Sequence, residues 1–428
     1  MDRRTFIKRG SALVAISGAL DAAGRPPQQN SPEAPVDTGI IKDGRLLFPN
    51  EGFVPQGANP GFGGALNQDP PDRRVGFAIL GLGRLSTQTI MPAFGRAKHA
   101  RLAGLISGSP EKARLLASQY GLSESRIYGY NDFDRIRDEQ DIQAIYVVTP
   151  NALHHENVLA AAGAGKHVLC EKPMAANARE AQEMVDACAK ANRKLMIAYR
   201  MQYDPYMRGA IQLCRSGQLG KIKAIIASNM QDQGDPNQWR LKKALAGGGS
   251  LYDIGIYCLN ASRAITGEEP LDVSARIQTD PNDPRFHEVE ESVYWTMRFP
   301  SGIIATLSTS YANRGAKFCQ VACEQGNAVL DPAYAYHGTR LFVDGLQNNG
   351  FNSTAEWKAG DPDQFALEMD HLAVCIRRDI RPRTPGEEGL ADQKIFEAVY
   401  QSAATGRTVT LPRVEGLDTT RGPEPVFD

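Results

Sequence analysis

Val75-Gly76-Phe77-Ala78-Ile79-Leu80-Gly81-Leu82-Gly83-Arg84-Leu85-Ser86 decides the fold. An apolar run ends in two closely spaced glycines, and Thr89, Ile90, Ala93 and Phe94 then recur at helical spacing. The pattern predicts strand, tight turn and helix, the opening of a dinucleotide-binding unit. Gly81 permits the turn, and Gly83 lets a pyrophosphate approach the backbone, where Arg84, Leu85 and the helix N-terminus follow. Ser86 stands where Gly or Ala is usual and is small enough to keep the helix close to the strand. A bare Gly-x-Gly-x-x-small string also fits an ordinary turn; its place between strand and helix favours the dinucleotide.

Working outward, the next strand (101–107) ends in Ser107-Gly108-Ser109, with Lys112 and Arg114 behind it. An NAD site puts an acidic residue at this point to hold the ribose 2′-hydroxyl. Hydroxyls and cations suit a 2′-phosphate instead, so NADP is expected and NAD is the less favoured cofactor. Lys112 and Arg114 fit equally well as solvated helix residues. Strand–helix alternation continues through a buried strand (142–148) to Thr149-Pro150-Asn151-Ala152-Leu153-His154. A further strand (167–170) delivers Glu171-Lys172-Pro173 at its carboxyl end, where open parallel sheets bind ligands. Lys172 is therefore a candidate for chemistry, with a surface lysine in a turn as the plain alternative.

Beyond Arg200 strands arrive without intervening helices, which predicts a mostly antiparallel sheet. The expected fold class is α/β: a Rossmann dinucleotide-binding domain (73–200), an α+β substrate and oligomerisation domain with a large open sheet (201–412), and a tail (413–428). Gly247-Gly248-Gly249 is expected to let backbone pass close to a ligand. In the helix after it, Asp253 and Tyr257 stand four apart and so share a face, an acid beside a phenol. A capping aspartate and a satisfied core tyrosine would look the same.

Composition agrees with two soluble domains. The chain has 428 residues, 42% hydrophobic and 23% charged, and a formal net charge of -1, which gives no pull toward nucleic acid or an anionic membrane. Seven scattered cysteines show neither a disulfide framework nor a zinc-site spacing, so no metal is expected. Arg3-Arg4-Thr5-Phe6-Ile7-Lys8, followed by a short apolar stretch, predicts a twin-arginine export signal (1–24) and a periplasmic destination without a membrane anchor. Residues 25–72, rich in Pro, Gly, Asn and Gln, show no periodicity and read as an arm: either a linker or a segment laid across a neighbouring subunit.

Taken together, these motifs resemble the family of glucose-fructose oxidoreductase, inositol dehydrogenase and rhizopine-catabolism proteins, nearest the glucose-fructose oxidoreductase branch. Besides those above, Tyr199-Arg200, Gln238-Trp239-Arg240-Leu241, Gly267-Glu268-Glu269-Pro270 and Thr384 to Gly389 carry the resemblance, which runs from about Arg73 to Leu411. It implies a sugar substrate, a homodimer or homotetramer, and an arm over a neighbour's cofactor. It also implies cofactor contacts from Gly81, Gly83, Arg84, Leu85, Ser107, Lys112, Thr149, Pro150, Asn151, His154, Glu171, Lys172, Arg200, Trp239 and Arg240. Lys172 and Tyr257 would meet the reacting hydroxyl and Asp253 would hold the sugar; many relatives carry histidine in place of Tyr257. A free phenol ionises near pH 10, so a base of this kind needs a cation such as Lys172 beside it. Hydride would leave C1 of a cyclic aldose, giving a lactone, and the reverse would reduce a ketose or second aldose. An ordinary dehydrogenase with exchangeable cofactor and a non-catalytic sensor are the other readings.

Overall fold

The computed structural model describes residues 40–42, 44–47, 68–348, 351–360 and 362–425. The expected export signal and much of the arm lie outside them. All described residues belong to one compact unit, Pro35–Asp428. The arm is not without regular structure: β1 (Ile40–Lys42) and β2 (Arg45–Leu47) form an antiparallel hairpin, and Leu46 packs against the core of the first sheet of this same chain.

The first sheet is parallel and six-stranded: β3 (Val75–Leu80), β4 (Ala100–Ile106), β5 (Ile127–Tyr128), β6 (Ala144–Val147), β7 (His167–Glu171) and β8 (Leu195–Ala198), in the order β5-β4-β3-β6-β7-β8. Chain order reverses between β3 and β6, which opens the crevice where doubly wound sheets bind dinucleotides. Every residue of β3 is buried, as a strand covered on both faces requires. Ala78 and Leu80 enter one apolar cluster while Phe77 and Ile79 enter the other, the period of two separating the faces. Helices α1 (Met91–Ala93), α2 (Pro110–Gln119), α3 (Phe133–Asp138), α4 (His154–Gly163) and α5 (Ala178–Lys190) connect these strands.

After α6 (Pro205–Arg215) come β9 (Ile222–Met230), α7 (Lys243–Ala246), α8 (Ile256–Thr266), β10 (Asp272–Gln278), β11 (Ser292–Arg298), β12 (Ile304–Ser310), β13 (Lys317–Cys323), β14 (Asn327–Leu330), β15 (Leu341–Asn348) and β16 (Phe351–Trp357). Helices α9 (Gln364–Arg378) and α10 (Gly386–Thr405) and strand β17 (Val409–Thr410) close the chain. The second sheet runs β16-β15-β14-β13-β9-β12-β11-β10-β17 and is antiparallel except for β9 with β12. Ile225 and Trp295 are buried under helices, whereas their neighbours Ile226 and Tyr294 are each 43% exposed. One face of the sheet is thus covered and the other open.

Sequence order does not match spatial order at α9. This helix follows the second sheet in the chain but lays Phe365, Ala366, Met369, Leu372 and Ala373 on the first. Its Asp370 carboxylate accepts the amides of Lys98, His99 and Ala100 at 2.7, 2.6 and 3.0 Å. The expected boundary at 200/201 separates the two sheets, yet the first one draws a covering helix from beyond it. Helix α8 is held from behind by Arg263, whose fully buried guanidinium meets Glu269 at 2.6 Å, Glu388 at 2.9 Å and Asp392 at 2.5 Å. That network fixes the helix that carries Tyr257.

Candidate active site

The glycine turn is closed by its own sequence. Gly81 has φ +96°, and a Cβ there would meet the Val148 carbonyl oxygen at 2.7 Å, so only glycine fits without strain. Ser86 does more than stay small: its hydroxyl lies 2.5 Å from the Gly81 carbonyl and 3.1 Å from that of Gly83. Thr87 adds a bond to Gly83 at 2.9 Å. Gly83 and Leu85 stay partly open while Arg84 is buried. At the end of β4 the Ser107 hydroxyl accepts the Ser109 amide at 3.1 Å; Lys112 is buried, and Arg114 is exposed. The bare backbone of the turn suits a pyrophosphate.

Lys172, Asp253 and Tyr257 come together. Strand β7 ends at Glu171, beside β6 and close to the reversal point, and hands Lys172 toward the second sheet. Its Nζ donates to the Asp253 carbonyl at 2.7 Å and to Oδ1 at 3.1 Å, and lies 4.9 Å from the centroid of the Tyr257 ring. Burial works against the Lys172 charge, but Tyr257, Asp253 and Glu171 outweigh it and hold the pKa above that of a free lysine. Burial likewise opposes the Asp253 carboxylate; Lys172 and Arg240 overcome this and bring its pKa down to about 2. Arg240 reaches Asp253 Oδ2 at 3.3 Å and stacks on Trp239, its guanidinium 4.6 Å from the ring centroid.

The expected single helix through Asp253 and Tyr257 is in fact two windings. Leu251–Gly255 is π-helical and α8 begins at Ile256. The triple glycine that precedes it packs closely against protein: a Cβ on Gly247 would meet Ala176, one on Gly248 would meet Tyr252 and Tyr400, and one on Gly249 would meet Glu290. The Glu290 carboxylate takes the amides of Gly249 at 2.9 Å and Leu251 at 3.0 Å, which fixes the π-turn.

Two of the residues implied as cofactor contacts are buried and already engaged with protein groups. His154 has no exposed surface; its ring nitrogens each sit 2.9 Å from a carbonyl, Pro173 on one side and Thr149 on the other. Burial pushes its pKa down to about 4 against the pull of these carbonyls, and the ring positions the Lys172 loop. Arg200 is buried, donates to Tyr334 O at 2.8 Å, Ala335 O at 3.2 Å and Gln364 Oε1 at 2.6 Å, and stands 4.8 Å from the Tyr257 centroid. It backs the phenol. Of the others, Asn151 donates to Ala246 O at 2.8 Å, clamping the β6 loop with Pro150 to α7, and Thr149 accepts from Asn157.

Glu171 is also occupied. The Tyr146 hydroxyl lies 2.9 Å from Glu171 and 2.8 Å from Glu368. One phenol proton cannot serve both, so the two carboxyls share a further proton; burial raises both, and the Glu171 charge raises Glu368 further. Tyr311 went unnoticed in the sequence: wholly buried at the end of β12, it donates to Asp253 Oδ2 at 2.9 Å. A lone tyrosine after an alternating strand carries no local signal of such a contact.

A chain that sets a dinucleotide turn beside a buried ammonium and phenol is an NAD(P)-dependent oxidoreductase. Residues 75–199 match the oxidoreductase family model with an NAD-binding Rossmann fold, and residues 207–329 match the GFO/IDH/MocA C-terminal domain. The chain belongs to the GFO/IDH/MocA oxidoreductase family. It is 33% identical to D-xylose 1-dehydrogenase [NADP(+)] of Haloarcula marismortui over 80% of this chain and 95% of that protein. It is 27% identical to D-xylose 1-dehydrogenase (NADP(+)) 2 of Haloferax volcanii, over 78% and 99%. The solved aldose-aldose oxidoreductase of Caulobacter crescentus, complexed with glycerol, superposes with a TM-score of 0.76 at 44% identity, over 79% of this chain and all of that one.

Proposed function

We propose that this chain is an NADP-dependent sugar oxidoreductase that removes hydride from C1 of a cyclic aldose, leaving a lactone, and returns it to a ketose or second aldose on retained cofactor. The observation that carries the reading is the meeting of Lys172, Asp253 and Tyr257 at the mouth of the dinucleotide crevice. The names of the relatives, D-xylose dehydrogenases with NADP and an aldose-aldose oxidoreductase, support the sugar, the nucleotide and the two-sugar cycle.

A bound NADP supplies the hydride acceptor through its nicotinamide ring. Tyr257 takes the proton of the C1 hydroxyl as that carbon loses hydride, and gives it back when a carbonyl is reduced. Negative charge growing on the phenol oxygen is met by Lys172 on one contact and Arg200 on another, at 4.9 and 4.8 Å from the ring centroid. Asp253, fixed by Lys172, Arg240 and Tyr311, anchors the ammonium and presents an acceptor to a sugar hydroxyl. Ser107 and Lys112 would hold the 2′-phosphate, and the Gly81–Gly83 turn would hold the pyrophosphate.

The same reading has the folded chain exported by the paired-arginine signal to the periplasm and working as a homodimer or homotetramer. Ile226, Tyr294 and Ile304 on the open sheet face support an assembly. The experiment is to denature purified protein, assay the supernatant for NADP, and incubate native protein with glucose and fructose without added nucleotide. Released NADP with sorbitol and gluconolactone is the expected result. Turnover only with added NADP would reduce the protein to an ordinary dehydrogenase, and no turnover at all would make it a sensor.

A further inference from the structure

Four cations surround the site, and one of them has no task in the mechanism above. Lys317 opens β13 opposite Asn229 of β9, and the Asn229 side chain donates to the Ile254 carbonyl at 3.0 Å, next to Asp253. The Lys317 carbonyl accepts the Ala333 amide at 2.8 Å, just before Tyr334 and Ala335, whose carbonyls hold Arg200. Lys317 is thereby bracketed by the two segments that carry Asp253 and Arg200.

Strand alternation gives its direction. Phe318 lines a hollow on the open face of the sheet with Ile226 and Tyr294, whereas Cys319 and Val321 are buried under the helices. Lys317 has the parity of Cys319, so its stem projects to the helix-covered side, where Tyr257 lies. It is half-buried, and no hydrogen bond or ion pair to its ammonium is found among the described residues. Burial, with Arg200 adding to it, lowers its pKa against the pull of Asp253. An ammonium kept partly from water without an acceptor among the described residues costs free energy, and an oxygen of a bound sugar would supply that acceptor.

We infer that Lys317 is a specificity-determining residue that donates to a sugar oxygen away from C1, and so chooses among sugars that differ at that carbon. The inference rests on the proposed oxidation at C1. The test measures kcat and KM for glucose and for its 2-, 3-, 4- and 6-deoxy forms in the wild type, K317M and K317R, with NADP affinity alongside. K317M should raise KM for glucose at least about tenfold, leaving kcat within about threefold and NADP affinity unchanged, and K317R should recover most of the loss. One deoxy sugar should be poor for the wild type and made no poorer by K317M, because the oxygen and the ammonium report the same contact. Equal losses for every sugar, or no loss, would overturn the assignment of Lys317. If K317M does not fold, the same panel on K317Q decides by the same criteria. A wild type inert toward every aldose would overturn the C1 oxidation itself, which keeps the two failures apart.

Discussion

At the scale of single residues, the legible positions are those whose role is written in their neighbours. Gly81 follows an apolar run, Lys172 ends a strand beside a proline, and Tyr257 lies four residues beyond Asp253. The groups that complete the site have no such neighbours. Tyr311 and Lys317 approach Asp253 from segments more than fifty residues away, and only the packing of the fold brings them in, whereas Arg200 was legible beside Tyr199 as a cofactor contact but not as the group behind the Tyr257 ring. His154 was legible as part of a motif but not as a buried brace, because exposure is a property of the fold. For Gly81→Ala, the positive φ costs about 1–2 kcal/mol and the new Cβ presses on Val148. Moving the turn amides by this amount should weaken NADP binding about tenfold in a fluorescence titration, with the fold intact. Unchanged affinity would mean the turn does not meet the nucleotide.

Elements show where periodicity suffices and where it does not. Strands β3, β6, β7 and β8 are apolar runs bounded by turn residues, and their positions were readable within one or two residues. The π-turn at Leu251–Gly255 was not, since side-chain spacing does not tell a π-turn from an α-turn and the extra residue per turn is fixed by Glu290 from another segment. The hairpin at 40–47 was missed because two three-residue strands are too short to show alternation. The destination of α9 was equally hidden: an amphipathic stripe states that a face is buried, not against which sheet. Helix α8 rests on Arg263, wholly buried among Glu269, Glu388 and Asp392. Arg263→Leu would leave those carboxylates short of a partner, and a loss of about 3–5 kcal/mol in urea unfolding is expected. A loss below about 1 kcal/mol would contradict the role given to this network.

For the whole molecule, buried histidines set the acid limb of stability. His154, His167 and His371 have pKa values lowered to about 4, chiefly by burial, against an ordinary value of 6.5. At these three rings the unfolded chain binds protons that the folded chain refuses between pH 6.5 and about 4, so they withdraw stability as pH drops through that window, while Asp392, raised to about 6 by burial, acts in the opposite direction. The slope is at most about 1.4 kcal/mol per pH unit for each histidine, and denaturant unfolding at pH 7 and pH 5 measures it. Replacing His371 by Gln should remove its share of that slope, and an unchanged profile would show that this ring ionises freely. The open sheet face predicts a second whole-molecule property. Light scattering should give a multiple of the chain mass, and replacing Ile226 and Tyr294 by Lys should shift it toward the monomer; a monomeric wild type would contradict the proposed assembly.

The proposed chemistry rests on the ammonium and phenol that meet at the dinucleotide crevice. The direct measurement is the rate of hydride transfer in a single turnover of Tyr257→Phe with NADP and an aldose that the wild type oxidises. A rate lower by about 100-fold or more, with nucleotide and sugar affinities within a few-fold of wild type, is the expected result. A rate equal to wild type would remove the phenol from the chemistry and the account with it.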